Sequence, residues 1–131
     1  MNLFTYGTLM FPEVWKRINI GEFASQPATL YEFAIYRIRD AVFPGLVRGS
    51  ASDQVRGLVY FDLDEETLFE IDTYESNLYE RVPVAVTLDN GSQLSCETYR
   101  VLDSCRDVIT EEPWDASRFE QEDLEKYLQG S

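Results

Sequence analysis

One carboxylate, Glu75, falls on the apolar side of a predicted helix. Leu68, Ile71 and Glu75 stand at positions i, i+3 and i+7, so an α-helix places all three on one face. A carboxyl group on a core-facing side is desolvated, which disfavours its charged form and raises its pKa toward neutral pH. Such a group can take up a proton and return it within one reaction. The alternative is that the helix ends near Tyr74 and Glu75 projects into solvent.

A second candidate is the segment Tyr6-Gly7-Thr8-Leu9, which lies between a predicted strand and a predicted helix. Gly7 permits either a positive φ angle or a close approach of the backbone to a ligand. Successive backbone N–H groups at such a turn form a concave site for an anion. The Thr8 hydroxyl adds a group that donates or accepts a hydrogen bond. The alternative is an ordinary strand-to-helix turn that needs glycine for its geometry alone.

Further polar and aromatic side chains flank these two candidates. Tyr79 and Arg81 have strand spacing, so they fall on one side of the chain just beyond Glu75. Arg81 can pair with a carboxylate, and the alternative for these two residues is a strand-edge aromatic side chain beside a solvated ion pair. Pro44-Gly45 either lines a pocket or forms a bare turn. Four other aromatic side chains are expected in the core, namely Tyr99, Trp114, Phe119 and Tyr127.

The absence of histidine from the sequence narrows the chemistry. It excludes the usual Ser-His-Asp and Cys-His nucleophilic systems and the zinc sites that are built on imidazole. Acid–base chemistry therefore falls to a carboxylate, a tyrosine, a thiol or one of two lysines, Lys16 and Lys126. The two cysteines, Cys96 and Cys105, lack a C-x-x-C spacing and are expected to be reduced thiols. No metal site and no cofactor is predicted.

Charge is the strongest bias of the composition. The 24 acidic residues outnumber the 11 basic ones and give a formal net charge of −13. Nucleic acids and anionic membranes repel such a chain, so neither is expected as a partner. An anionic group on a substrate therefore needs a local cluster of hydrogen-bond donors. A protein-interaction factor that imitates a polyanion would need an ordered stripe of carboxylates, whereas this sequence scatters them.

The elements that must position the candidate residues alternate between strands and helices. Apolar patterns predict strands over residues 2–6, 24–30, 33–37, 55–63, 79–88 and 93–102. Proline and glycine predict a long loop over residues 38–53, and residues 103–113 are expected to be irregular. Asn90-Gly91 predicts a hairpin. A two-residue turn there would set Val82, Val84 and Val86 opposite polar residues, so we expect a bulge or a longer loop.

Helix signals are clear at three places. Pro12 favours the first turn of a helix over residues 12–20, which Gly21 ends. Asp64 is expected to cap the helix that carries Glu75. Ser117-x-x-Glu120 has the pattern of a capping box and predicts the start of a final helix.

Length and composition indicate a globular domain. The 131 residues suffice for one core, and 44% of them are hydrophobic. No apolar run is long enough to span a bilayer, and the N-terminus lacks the basic and apolar regions of a signal peptide, so a cytoplasmic location is expected. The order of strands and helices predicts an α+β fold with a mixed, curved sheet in a single domain over residues 1–131.

Four segments together resemble the γ-glutamylcyclotransferase family, including its AIG2-like and γ-glutamylamine cyclotransferase branches. Tyr6-Gly7-Thr8-Leu9 is similar to the family's N-terminal signature. The central segment Phe43-Pro44-Gly45-Leu46-Val47 and the C-terminal region with Trp114-Asp115 are also similar. The acidic motif is matched by Asp72-x-Tyr74-Glu75 followed by Tyr79-x-Arg81. The likeness covers nearly the whole chain, in the family's order and spacing.

This resemblance implies both a fold and an activity. The implied fold is a small mixed β-barrel flanked by helices, with a cavity at one end of the barrel. The implied enzyme releases 5-oxoproline and a free amine from a small-molecule γ-glutamyl amide. Its general acid–base is Glu75, and Ser76 stands where many members of the family have glycine. The implied substrate-binding residues are Tyr6, Gly7, Thr8, Leu9, Pro44, Gly45, Tyr79 and Arg81, with the backbone amides of the first four holding the glutamyl carboxylate.

The implied mechanism is an intramolecular cyclisation. Glu75 removes a proton from the substrate's α-ammonium group, the amine attacks the substrate's own γ-carbonyl, and the same carboxyl then protonates the departing amine. The scheme needs no metal, cofactor or nucleophilic side chain. The alternative is a non-catalytic small-molecule binding or regulatory module on the same fold, which has less need of Glu75. The sequence specifies neither the leaving amine nor the oligomeric state.

Overall fold

The computed structural model describes residues 1–17, 23–75 and 78–129 of the chain. Its barrel is built from the strands β1 (Leu3–Thr5), β2 (Ser25–Tyr31), β5 (Gln54–Tyr60), β6 (Tyr79–Leu88) and β7 (Gln93–Val101). The barrel closes in the order β1-β5-β2-β6-β7. Because β1 is parallel to β7 and the other neighbours are antiparallel, the barrel is mixed. The expected α+β fold is confirmed, and the strand predicted over residues 55–63 ends at Tyr60.

A three-stranded sheet packs against the barrel. Its central strand β3 (Phe33–Ile38) pairs with β4 (Pro44–Arg48) on one side and with β8 (Ile109–Pro113) on the other. The prediction of a continuous loop over residues 38–53 is therefore wrong. Pro44 opens an edge strand, where a missing N–H costs no ladder hydrogen bond. At Gly45 a Cβ atom would lie 2.6 Å from Val101 Cγ2, so this glycine allows close packing of the sheet on the barrel.

The segment predicted to be irregular over residues 103–113 is also regular. A 3-10 helix spans Asp103–Val108, and β8 follows it directly. The pairing of β8 with β3 shifts register between Tyr36 and Ile38. A strand this short, with an interrupted register, leaves no hydrophobic period in the sequence from which it can be predicted.

Two helices interrupt the barrel strands along the chain: one lies between β1 and β2, the other between β5 and β6. The first, α1 (Pro12–Arg17), begins at the predicted proline, whereas residues 18–22, which include the predicted cap Gly21, lie outside the described residues. The second, α2 (Glu65–Glu75), is capped as predicted, because Asp64 Oδ1 accepts a hydrogen bond of 2.7 Å from the Thr67 N–H. The hydrogen bonds from Thr67 also lower the pKa of Asp64.

The C-terminal helix combines α3 (Ala116–Arg118), a π-helical turn (Phe119–Asp123) and α4 (Leu124–Gln129). The capping box predicted at Ser117 and Glu120 is wrong. Asp115 is the cap, and its Oδ1 accepts a hydrogen bond of 2.8 Å from the Ser117 N–H. The helix therefore begins two residues earlier than predicted. The indole N–H of Trp114 donates to Val42 O at 2.7 Å and fixes the chain just before Asp115.

The hairpin between β6 and β7 confirms the expectation of a longer loop. The Leu88 N–H donates to Ser92 O at 2.8 Å, and Gly91 adopts a φ of 89° within the loop. Three residues therefore separate the last bonded pair. In this register the predicted valine stripe faces Leu94, Cys96 and the buried Thr98, so two of the three cross-strand pairs are apolar.

Two hydrophobic clusters hold the elements together. One joins barrel strands through side chains such as Phe4, Val59 and Val86, and the other joins the barrel to the helices. Leu68 and Ile71 of α2 are buried in the second cluster, so this helix presses its apolar face onto the barrel. No helix within the described residues has the length and apolar character that a membrane crossing requires.

Candidate active site

A cavity of about 260 Å³ lies where the turn after β1, the end of α2 and the C-terminal helix meet the barrel. Its volume is near the lower end of ligand pockets, about 300 Å³, and suits a small molecule. Its wall is largely aromatic, and none of the chain's lysines and arginines, all of which are described, is part of it. The lining residues are Phe4, Thr5, Tyr6, Gly7, Thr8, Leu9, Phe43, Pro44, Tyr74, Glu75, Leu78, Tyr79, Tyr99 and Tyr127.

Gly7 is required at the turn because the chain packs closely there. Its φ of −116° is not in the left-handed region, so the positive φ considered for this glycine does not occur. A Cβ atom on Gly7 would lie 2.8 Å from Pro44 Cγ, too near for any other residue without a shift. The close approach is therefore to the neighbouring strand β4, whose first residue forms the adjacent part of the cavity wall.

The turn presents backbone donors beside the cavity. It is a 3-10 turn (Thr8–Met10), and its first bonds run from the Met10 N–H to Gly7 O at 3.0 Å and from the Phe11 N–H to Thr8 O at 3.1 Å. The N–H groups of Thr8 and Leu9 precede these bonded donors, as at the start of any helical turn. Both residues line the cavity, so their N–H groups are the candidates in this turn for binding an anion.

Glu75 is the last residue of α2 and is half-buried in the cavity wall. Burial, and after it the negative charge of Asp72, raises the pKa of Glu75 from 4.5 to about 8. The C-terminal end of a helix disfavours negative charge as well. The alternative of a solvent-facing Glu75 does not hold, because the side chain continues the buried face of Leu68 and Ile71 into the cavity.

Three tyrosines of the cavity surround this carboxyl and keep their protons. Burial raises the pKa of Tyr6, Tyr79 and Tyr99, and the charge of Glu75 raises each further. Tyr6 donates to Tyr99 O at 2.6 Å, Tyr79 donates to Pro44 O at 2.6 Å, and Tyr99 donates to Asp72. The phenols are thus held in place as neutral groups, and Glu75 is the cavity-lining group whose pKa lies near neutral pH.

A second set of hydroxyls, those of Tyr74, Tyr127 and Thr8, lies in the same cavity wall. The Tyr74 hydroxyl is hydrogen-bonded to that of Tyr127, and it lies 3.3 Å from Thr8 Oγ1. Tyr127 comes from α4 and Thr8 from the first turn. These contacts join the C-terminal helix, α2 and the turn around one cavity.

The structure brings together most of the residues that the sequence identifies. Tyr6, Gly7, Thr8, Leu9, Pro44, Glu75 and Tyr79 all line the cavity. Gly45 does not, because its backbone packs against Ile38 and Val101 instead. Arg81 does not either: β6 carries it past the cavity, where it pairs with Asp72 at 3.6 Å and Glu97 at 3.5 Å. Ser76 lies outside the described residues.

Several cavity residues were not identified as site residues from the sequence. Tyr99 and Tyr127, expected in the core, line the cavity together with Phe4, Phe43 and Leu78. Tyr74 is adjacent to Glu75 in the acidic motif, which was a usable signal. Nothing local distinguishes Tyr127 from a core aromatic residue, because its contact with the cavity depends on how the C-terminal helix docks.

Comparison with known proteins assigns this chain to a family. The family model described as Gamma-glutamyl cyclotransferase, AIG2-like matches residues 3–116. The AIG2-like protein D of Arabidopsis thaliana is 32% identical over 131 residues, which cover 97% of this chain and 84% of the relative. The chain belongs to the γ-glutamyl cyclotransferase, AIG2-like family.

Two further similarities come from Arabidopsis thaliana. Protein AIG2 C is 33% identical over 99 residues, which cover 75% of this chain, and the chain spans only 59% of the length of that relative. One solution structure has a TM-score of 0.75 at 28% identity and covers 98% of this chain and 78% of its own. The similarity therefore extends over both the barrel and the helices that form the cavity.

Proposed function

We propose that this chain catalyses the release of 5-oxoproline and a free amine from a small-molecule γ-glutamyl amide. The proposal rests on one arrangement: Glu75, whose pKa is raised to about 8, lines the same cavity as Thr8 and Leu9, the first two residues of the turn. The family's description is consistent with this activity. The scheme uses no metal and no cofactor.

Binding begins with the α-carboxylate of the glutamyl group. The net charge of −13 repels an anion at long range, so the local N–H groups of the turn must supply the attraction. Thr8 and Leu9 are both buried, which strengthens hydrogen bonds between their N–H groups and a carboxylate. The glutamyl group is thereby held at the turn. The hydroxyls of Tyr74 and Tyr127 meet Thr8 at the same place, so these two side chains are within reach of the bound amide.

Chemistry follows from folding the substrate on itself. With the carboxylate fixed, the substrate's α-nitrogen can be held beside its own γ-carbonyl carbon, so attack becomes a unimolecular ring closure. Glu75 accepts the proton that the α-ammonium group must lose. The new bond joins this nitrogen to the γ-carbonyl carbon and closes a five-membered lactam. The bond from that carbonyl carbon to the leaving nitrogen then breaks as Glu75 returns the first proton to the leaving nitrogen. The second proton lost by the attacking nitrogen passes through the same carboxylate to the released amine, which departs as its ammonium form.

The raised pKa of Glu75 suits both halves of this cycle. A pKa of about 8 lies in the range in which α-amines titrate, so proton transfer between the two groups is nearly balanced. A carboxyl with an ordinary pKa would be a weak base for an ammonium group. The neutral tyrosines around Glu75 hold the cavity in shape without competing for the proton.

A screen of γ-glutamyl compounds tests the proposal. Each amide is incubated with the wild-type protein and with Glu75→Gln, and 5-oxoproline is measured by mass spectrometry. The wild type should release 5-oxoproline and amine in equal amounts from at least one compound, and Glu75→Gln should release neither at a measurable rate. Circular dichroism of the variant establishes that it is folded. Ligand-induced thermal stabilisation of the wild type without product would instead assign the cavity to a non-catalytic binding module.

A further inference from the structure

Asp72 ties the helix that carries Glu75 to the barrel wall. It precedes Glu75 by three residues on α2, so the two carboxyls lie on neighbouring turns of one side of the helix. The Asp72 carboxylate accepts a hydrogen bond from the Tyr99 hydroxyl through Oδ1, and its Oδ2 lies 3.6 Å from Arg81 Nη2. Tyr99 belongs to β7 and Arg81 to β6. One side chain therefore connects α2 to two strands of the barrel.

The last turn of α2 is held from another direction as well. Tyr74, the residue before Glu75, contacts Thr8 of the first turn and Tyr127 of α4 through its hydroxyl. Asp72 and Tyr74 bind different elements. The helical turn that ends in Glu75 is therefore attached by polar contacts to the barrel strands on one side and to the first turn and α4 on the other. Arg81 belongs to the acidic motif but does not line the cavity. Its contact in this arrangement is the ion pair with Asp72.

Beyond Glu75, three charged side chains contact one another in a row, with alternating signs. Asp72 is the nearest carboxylate, Arg81 follows it, and Arg81 Nε lies 3.5 Å from Glu97 Oε1. The Arg81 and Glu97 side chains are only 28% and 26% exposed, so water screens this pair less than a surface pair. Among the described residues, the charge of Glu75 also acts on the neutral phenols Tyr6, Tyr79 and Tyr99, and the phenols of Tyr74 and Tyr127 share its cavity.

We propose that Asp72 is the positioning residue for Glu75: it fixes the last turn of α2 against the barrel and, balanced by Arg81, controls the pH at which Glu75 exchanges its proton. The inference rests on the proposed function, since it assigns to Glu75 the acid–base role. Burial is the largest cause of the raised pKa of Glu75, and the charge of Asp72 is the second. Removing Asp72 should therefore leave Glu75 a stronger acid, and removing Arg81 should make it a weaker one.

Two substitutions with opposite expected effects test the proposal. Asp72→Asn keeps an oxygen that accepts from Tyr99 but removes the charge, and it should move the acidic limb of the kcat/KM profile to lower pH by about half a unit or more, which is roughly threefold in proton affinity. Arg81→Gln leaves Asp72 uncompensated and should move the limb to higher pH. A purely structural role would lower activity in both variants without displacing the limb in opposite directions. Limbs that stay in place, or that move in the same direction, would overturn the proposal.

A direct titration separates this proposal from the activity itself. The carboxyl of Glu75 is followed by carbon-13 NMR in the wild type, Asp72→Asn and Arg81→Gln, with Glu75→Gln identifying its signal. The midpoint should fall in the first variant and rise in the second, whether or not any γ-glutamyl amide is turned over. Glu70→Gln, which changes an exposed carboxylate on the same helix, is the matched control and should not move the midpoint. Unmoved midpoints in a folded Arg81→Gln variant contradict the proposal even if Asp72→Asn fails to fold.

Discussion

Replacing Glu75 with glutamine is expected to stabilise the protein at neutral and alkaline pH, although it removes the proposed acid–base group. The pKa of this carboxyl is raised to about 8 in the folded chain from an ordinary 4.5. A carboxyl with a raised pKa binds its proton more tightly in the folded state than in the unfolded state. Its contribution to stability is therefore complete below about pH 4.5 and is lost as the pH rises toward 8. Glutamine is neutral at every pH, so the stability of Glu75→Gln does not fall for this reason as the pH rises.

The size of the effect follows from the difference in proton affinity. Each tenfold difference corresponds to about 1.4 kcal/mol. Relative to Glu75→Gln, the free energy of unfolding of the wild type should fall by about 3 kcal/mol between acidic pH and pH 7, and by about 4 to 5 kcal/mol by pH 9. Because the side chain is half-buried and water reaches part of the cavity, these figures are upper values.

Urea unfolding at a series of pH values measures this difference. Trp15 and Trp114 are both buried, so their fluorescence reports the transition. The gap in the free energy of unfolding between Glu75→Gln and the wild type should widen from about pH 5 to pH 8 and then become constant. Glu70→Gln, at an exposed position of the same helix, should give a curve parallel to the wild type. A gap that stays constant, or narrows as the pH rises, would show that the folded protein does not raise the pKa of Glu75.

Two other substitutions test the cavity wall. Gly7→Ala places a methyl group 2.8 Å from Pro44 Cγ, so it should lower the free energy of unfolding by about 1–3 kcal/mol and reduce 5-oxoproline release. Gly91→Ala in the hairpin, where the φ of 89° disfavours alanine, should also lower the free energy of unfolding but leave release unchanged. Tyr127→Phe removes the hydroxyl that bonds to Tyr74 but keeps the ring on Phe119, so it should cost about 1 kcal/mol in urea unfolding and raise KM more than it lowers kcat. A normal KM in a folded Tyr127→Phe variant would remove this hydroxyl from substrate binding.

The place of Glu75 could be predicted because it follows from the period of one helix. Leu68 and Ile71 define the face that packs on the barrel, and a residue seven positions after Leu68 must continue that face. The cap at Asp64 could be predicted for a similar reason, because it depends only on a contact with Thr67, three residues further along the chain. The strand-to-helix turn also lies where the sequence indicates, but the reason for Gly7 is contact with Pro44, which belongs to a strand distant in the chain.

The features that could not be predicted depend on contacts between distant elements. Proline and glycine in β4 have the composition of a loop, and only pairing with β3 makes them a strand. Arg81 has the spacing to share a face with Tyr79, yet Asp72 and Glu97 hold its side chain away from the cavity. Tyr127 reaches the cavity because α4 docks beside Tyr74. Local periodicity contains no information about any of these distances.

Measuring binding and turnover separately in Glu75→Gln tests whether the turn binds the substrate while Glu75 reacts with it. Once the screen has identified a γ-glutamyl amide, its binding to this variant is measured by calorimetry and its conversion by mass spectrometry. Glu75→Gln should bind the amide with an affinity close to the wild-type KM and release no 5-oxoproline. Undiminished turnover by the variant would contradict the role of Glu75.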